Sequence, residues 1–155
     1  MFDDRRVRII TGHYGSGKTE FAVNYTFALA EAGKKTAIVD LDIVNPYFRS
    51  REREPQLVEK GIRVVSSSIK GISGDLPALS PEIYSVLQDT SYEVVLDVGG
   101  DKVGARALGR YHEYFDKEPY DMFFVLNANR HQTSTVDGAI SYLRSIEHGS
   151  MQKVT

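Results

Sequence analysis

Gly12-His13-Tyr14-Gly15-Ser16-Gly17-Lys18-Thr19 fits the pattern G-x-x-x-x-G-K-[ST], and it lies between an apolar run and a helical signal. A main chain that curls into a concave nest of N–H groups tolerates no obstructing side chains, and Gly12, Gly15 and Gly17 leave that room. Such a loop must be delivered by a strand and continued by a helix, whose unsatisfied N–H groups and positive dipole end face the same concavity. The chemistry that needs this arrangement is the binding of a polyphosphate. Lys18 is expected to reach the β- and γ-phosphate oxygens of a nucleoside triphosphate. Thr19 is expected to offer its hydroxyl to Mg²⁺, which takes oxygen ligands and keeps phosphates in its shell. The expected nucleotide-binding residues are Gly12, His13, Tyr14, Gly15, Ser16, Gly17, Lys18, Thr19 and Glu20, with Lys18 also catalytic.

The flanks supply the required order. Val7 to Thr11 reads as a short apolar strand, and Phe21, Ala22, Tyr25, Ala28, Leu29 and Ala32 recur at helical spacing on one expected face, stopped by Gly33. Thr36 to Leu41 reads as a second strand, completing a βαβ unit with parallel strands. Further strands are expected at Ile62 to Val65, Glu93 to Val98 and Asp121 to Leu126. Helices are expected to open at Ser80-Pro81, to run from about Lys102 to Phe115, and to run from about Ser134 to Glu147 before Gly149. Gly71 to Pro77 has turn chemistry and reads as a mobile surface loop. The alternation predicts an α/β fold of three layers, a mainly parallel sheet with helices on both faces, as in P-loop NTPases.

A chain of 155 residues, 41% hydrophobic and 26% charged, suits one nucleotide-binding domain over residues 1 to 155. Its close, Lys153-Val154-Thr155, reads as the start of another strand. The expectation is a domain incomplete at its C-terminal end; the alternative is an edge strand cut short. A net charge of −2 gives no footprint for nucleic acid. With no cysteine, no apolar leader and no membrane-spanning run, a cytoplasmic protein is expected.

In an open parallel sheet, ligands bind outside the carboxyl ends of the strands. The promising residues all fall just past such ends. Asp97 ends the run Tyr92 to Leu96, an apolar strand followed by a carboxylate that would hold Mg²⁺ directly or through water, so the expected metal residues are Thr19 and Asp97. Asp97-Val98-Gly99-Gly100 matches D-x-x-G, in which Gly100 would bring its N–H to the γ-phosphate. Asp42, in Asp40-Leu41-Asp42-Ile43-Val44-Asn45-Pro46, is the expected catalytic carboxylate, orienting or deprotonating the attacking water. Asn127 or Asn129 is expected to hydrogen-bond adenine's edge, the alternative being a turn or helix-entry role.

The loop, the strand end carrying Asp42 and the Asp97 motif together resemble the nucleotide-binding domain of the MinD/ParA partition ATPases and CobQ/CobB-type enzymes, over roughly residues 7 to 130. Those families lie within the P-loop class that includes signal-recognition GTPases. The resemblance implies that Lys18 and Thr19 are phosphate and Mg²⁺ ligands, that Asp42 positions water, and that Asp97 is a carboxylate behind the metal. One position departs from it: His13 stands where MinD/ParA members carry a signature lysine that reaches a partner subunit's nucleotide. His13 itself reads either as a phosphate contact when protonated or as a solvent-facing loop residue. Asn127-Ala128-Asn129-Arg130 lacks the lysine and aspartate of the guanine-reading N-K-x-D, which favours ATP.

Two basic groups remain. Arg49, Arg51 and Arg53 alternate with Glu52 and Glu54 and read as a solvated face, the alternative being a finger on the transferred phosphate. Lys102, Arg106 and Arg110 form a stripe that is either a nucleotide-gated partner surface or an ordinary exposed face; Tyr111, Tyr114, Phe115 and Tyr120 read as core. The expected activity is Mg²⁺-dependent hydrolysis of ATP to ADP and phosphate as a switch, with a second copy or a protein partner read at the segments after Asp42 and Asp97. The alternatives are a small-molecule kinase or ATP-dependent synthetase on the same scaffold, and a nucleotide-binding module without turnover.

Overall fold

The computed structural model describes residues 4–41, 50–66 and 80–155. Five strands form one sheet: β1 (Val7–Gly12), β2 (Thr36–Asp40), β3 (Arg63–Ser66), β4 (Glu93–Asp97) and β5 (Tyr120–Val125). Their order is β3-β2-β4-β1-β5, and every neighbouring pair is parallel. The helices are α1 (Lys18–Glu31), α2 (Ser50–Glu59), α3 (Pro81–Gln88), α4 (Lys102–Gly109), α5 (His112–Phe115) and α6 (Val136–Ser150). Asp42, Arg49 and the Gly71 to Pro77 segment lie outside the described residues.

Strand alternation divides the core in two. Ile10, Ile38 and Val95 face α1 and α2 and pack with Ala22, Val23, Leu29 and Leu57. Val7, Ile9, Val39 and Leu96 face the opposite way and pack with residues of α3 to α6, among them Ile83, Leu108, Phe115 and Ile146. Both faces are therefore covered, which is why the strands read as nearly continuous apolar runs. The three-layer α/β expectation holds.

Four local expectations are corrected. Phe21 does not belong to the buried stripe of α1, which consists of Lys18, Thr19, Ala22, Val23, Thr26 and Leu29. Phe21 is exposed at the edge of that stripe and stacks on Tyr25 and Phe123. The single helix expected from Lys102 to Phe115 is two, interrupted at Arg110 and Tyr111, and Tyr111 is buried between them. Gly149 does not stop α6: it lies inside the helix, where an added Cβ would stand 3.0 Å from Ala105 of α4, so its small size serves helix packing. The left-handed turn that ends α6 is taken by Met151 instead (φ 57°). Finally, Lys153 to Thr155 form no strand, yet Thr155 lies along β5, its N–H donating to the Met122 carbonyl at 3.2 Å. By contrast Gly33 ends α1 as expected, with φ 79° and the Lys34 N–H donating back to Leu29.

A charged group sits inside the first strand. The Arg8 side chain is 2% exposed and shares the α1 face with Ile10. Its Nε and Nη2 donate to the two Asp4 oxygens at 3.0 and 3.1 Å, and its Nη1 donates to Glu93 at 2.6 Å. Tyr25 of α1 donates its hydroxyl to the same Asp4 carboxylate. Burial alone would raise the Asp4 carboxyl, but the hydrogen bonds from Arg8 and Tyr25 and the guanidinium charge carry it below the usual value. Burial, then the Asp4 bond, pushes the Tyr25 phenol up to about 12.

Removing one member of such a cluster leaves the others uncompensated, so Arg8→Ala should lower stability by about 3–5 kcal/mol in urea denaturation. A loss below about 1 kcal/mol, the worth of a surface pair, would contradict that reading. The pH dependence has two limbs. Asp4, depressed in the fold, contributes fully above its unfolded value of about 3.9 and loses its contribution as the pH falls through its folded value. Tyr25, raised in the fold, contributes below about 10 and loses its contribution as the pH climbs towards its folded value. Asp4→Asn should flatten the acid limb of the urea midpoint plotted against pH.

Candidate functional site

The site lies at the carboxyl edge of the sheet, where β1 ends between β4 and β5. Gly12, Gly15 and Gly17 take φ values of 154°, 72° and 93°, in the region that favours glycine, and α1 starts directly after the third. Within the loop the Ser16 N–H donates to the His13 carbonyl at 2.9 Å, and the Phe21 N–H donates to Gly17 at the same distance. Lys18 and Thr19 open the helix and are 6% and 5% exposed. Tyr14 projects outward and is exposed. Glu20 is exposed too, accepting from Asn24 at 3.0 Å and lying 3.6 Å from Arg53 of α2. Arg53 is half-buried and is engaged by that carboxylate.

The expected partner carboxylate is close by in the sheet. Asp97 ends β4 in register with Ile10 of β1 on one side and Asp40 of β2 on the other. Register partners share a face, and Ile10 belongs to the layer under α1. Asp97 and Asp40 therefore stand on the face where Lys18 and Thr19 open their helix. Asp97 is buried there, at 2% exposure. The main chain there is fixed by the Val98 N–H on Ile10 (3.0 Å) and the Leu41 N–H on Asp97 (2.9 Å).

Other segments hold the loop in shape. Gly100 is buried against it: a Cβ there would run into the Gly12 carbonyl and stand 2.9 Å from the Tyr14 nitrogen. Tyr142 of α6 donates its hydroxyl to the Gly100 carbonyl, and its ring meets the His13 ring edge-on at 4.8 Å. Burial raises the Tyr142 phenol, with the Asp101 charge adding to it, so the donor keeps its proton. His13 is half-buried there, and its Nδ1 donates to the Tyr14 carbonyl at 2.7 Å. From the far side, Asn127 Nδ2 and Arg130 Nε donate to the Gly15 carbonyl at 3.1 and 3.3 Å. Asn127 Oδ1 accepts the Asn129 N–H at 3.0 Å, so this amide braces the loop. The brace was not readable from sequence, since the Asn127-to-Gly15 contact joins segments 112 residues apart.

The arrangement fits a polyphosphate. A Cβ on Gly12 would run into the Val125 carbonyl and Ser16 Oγ, and Ser16 Oγ, buried beside that glycine, makes no hydrogen bond with any described residue. A divalent cation here would draw on the expected Thr19 and Asp97 oxygens; among the described residues no three acidic or histidine side chains form a cage. Mg²⁺ suits that sparse set, since it takes phosphate and water for the remainder. On the basic stripe, Arg106 is exposed and Arg110 half-buried beyond the end of α4; Tyr111 and Phe115 are core as expected, whereas Tyr114 and Tyr120 are only partly buried against it.

No protein-family model matches this chain, and no curated protein does. Among solved structures it is similar to the signal recognition particle receptor FtsY from Elizabethkingia anophelis, with a TM-score of 0.56 and 17% identity, covering 99% of this chain and 49% of that one. It also matches a nucleotide-binding protein in complex with ADP from Archaeoglobus fulgidus, with a TM-score of 0.47 and 19% identity, covering 96% of this chain and 65% of that one. The chain spans about half the length of the FtsY chain. No helix among the described residues is long and apolar enough to cross a membrane. The five-stranded parallel sheet with helices on both faces is a P-loop NTPase-like fold.

Proposed function

We propose that this chain binds ATP with Mg²⁺ and hydrolyses its β–γ bond, acting as a nucleotide-driven switch. One observation carries the reading: Lys18 and Thr19, buried at the start of α1, stand behind a loop of left-handed glycines and on the same sheet face as the buried Asp97. Lys18 would neutralise the β- and γ-phosphates, and the loop amides with the N-terminus of α1 would hold the oxygens in place. Mg²⁺ would draw charge from the β–γ bridge, held by Thr19 and, directly or through water, by Asp97. Asp42 is assigned to orient the attacking water, and Gly100 to offer its N–H to the γ-phosphate.

ATP is preferred to GTP because residues 127 to 130 carry no N-K-x-D. The segments after Asp42 and Asp97 are assigned as the switch read by a partner or second copy. The MinD/ParA likeness is retained without its cross-subunit lysine: the His13 ring is held against Tyr142 and its Nδ1 is engaged by Tyr14, which argues against His13 as a reaching group.

Two substitutions test the assignment. Lys18→Ala should weaken Mg-ATP binding by roughly 10- to 100-fold in calorimetry and abolish phosphate release, as expected for the loss of a charged hydrogen-bond donor. Unaltered turnover would remove Lys18 from the site. Asp42→Asn should leave ATP affinity nearly unchanged and slow phosphate release by roughly 100-fold or more. Comparing Mg-ATP with Mg-GTP in the same calorimeter decides the base, and tighter GTP binding would reverse that choice.

A further inference from the structure

Arg130 has no role in the mechanism above, yet its guanidinium lies on the phosphate loop. A Cβ on Gly15 would stand 2.7 Å from Arg130 Cζ and 2.8 Å from its Nε, so the planar group covers the Gly15 backbone. Nε spends its proton on the Gly15 carbonyl. Nη1 and Nη2 make no hydrogen bond or ion pair with any described residue, and the residue is exposed. The backbone that carries Arg130 is itself fixed: its N–H donates to Asn127 at 3.2 Å, and its carbonyl accepts from Thr133 at 2.9 Å. Thr133 also donates its hydroxyl to the Asn127 carbonyl at 2.8 Å. A preorganised cation with unspent donors thus sits at the rim of the anion cradle.

We propose that Arg130 is a second phosphate-binding cation of this site, placed by Gly15 and directed at the oxygens of the bound triphosphate. The proposal rests on the nucleotide reading above and extends it. A guanidinium carries donors only, in a planar fork that suits phosphate oxygens. Residue 130 stands where the guanine-reading pattern N-K-x-D carries a carboxylate, so the position offers donors in place of acceptors. Contact with Gly15 keeps the group on the loop itself, and the bond from Nε to the Gly15 carbonyl fixes the plane of the fork. Lys18 would approach the phosphates from the start of α1, and Arg130 from the β5 side.

The test is calorimetry of Mg-ATP binding at several salt concentrations with the full chain, Arg130→Ala, Arg130→Lys and Asn127→Ala. A lost phosphate contact should weaken affinity by roughly 10- to 100-fold and make its dependence on salt shallower, because one charge pair fewer is screened. Arg130→Lys should keep the salt dependence and recover part of the affinity. Asn127→Ala removes the other donor to Gly15 and should leave the salt dependence unchanged. If Arg130→Ala weakens binding with the original salt dependence, the arginine contacts the uncharged base or merely braces the loop, and the proposal fails. It fails equally if affinity does not change. An unsubstituted protein that stays folded and binds no Mg-ATP would instead remove the nucleotide reading underneath.

Discussion

At the carboxyl edge of the sheet, main chain meets main chain with no side chain between. Gly12 lies against the end of β5 and Gly100 against the Gly12 carbonyl and the Tyr14 nitrogen, while Gly15 is covered by a guanidinium. Everything attributed to the site depends on these approaches, because the cradle is made of amide directions and a shift of one segment would turn them away. The loop is held from both flanks before any ligand arrives. The ordering that a flexible loop would undergo on binding is thus already part of the folded state.

The strand order makes this contact available. With β1 between β4 and β5, the segment after each neighbour reaches the loop from its own side, Gly100 from one and Asn127 with Arg130 from the other. Tyr142 then ties α6 to both Gly100 and His13, so a helix that supplies core on one sheet face also reports on the loop. The other end of the sheet is joined differently. There Arg6 donates to the Leu87 and Tyr92 carbonyls at 2.9 and 3.0 Å and pairs with Glu118 at 2.9 Å, while Arg8 holds Asp4 and Glu93.

Most of the element order could be read from the residues, because each relevant signal is local. The glycine spacing, the apolar runs ending in Asp or Asn, and Ser80-Pro81 before α3 are patterns of a few neighbours. What escaped was set by distant partners. Arg8 looks like an interruption of an apolar strand until Asp4, Tyr25 and Glu93 are brought around it. α2 was missed because Pro55 and a run of alternating charge obscure its helical period, although Leu57 anchors it in the core. Gly149 reads as a terminator in sequence, and only the approach of α4 shows why it is small. Arg130 reads in sequence only as a departure from a base-reading pattern, while its seat on Gly15 depends on a contact 115 residues away along the chain.

The first strand is also a ruler. Arg8, at its foot, and Gly12, at its tip, are fixed by unrelated partners on opposite edges of the domain, with Ile9 and Ile10 dividing the two core layers between them. In a pleated strand, gaining or losing a single residue sends every following side chain to the other face. A shortened or lengthened β1 would keep either the ionic cluster or the cradle, never both. The distance between the ionic cluster and the glycine loop is therefore written into this segment as a residue count more than as an apolar composition.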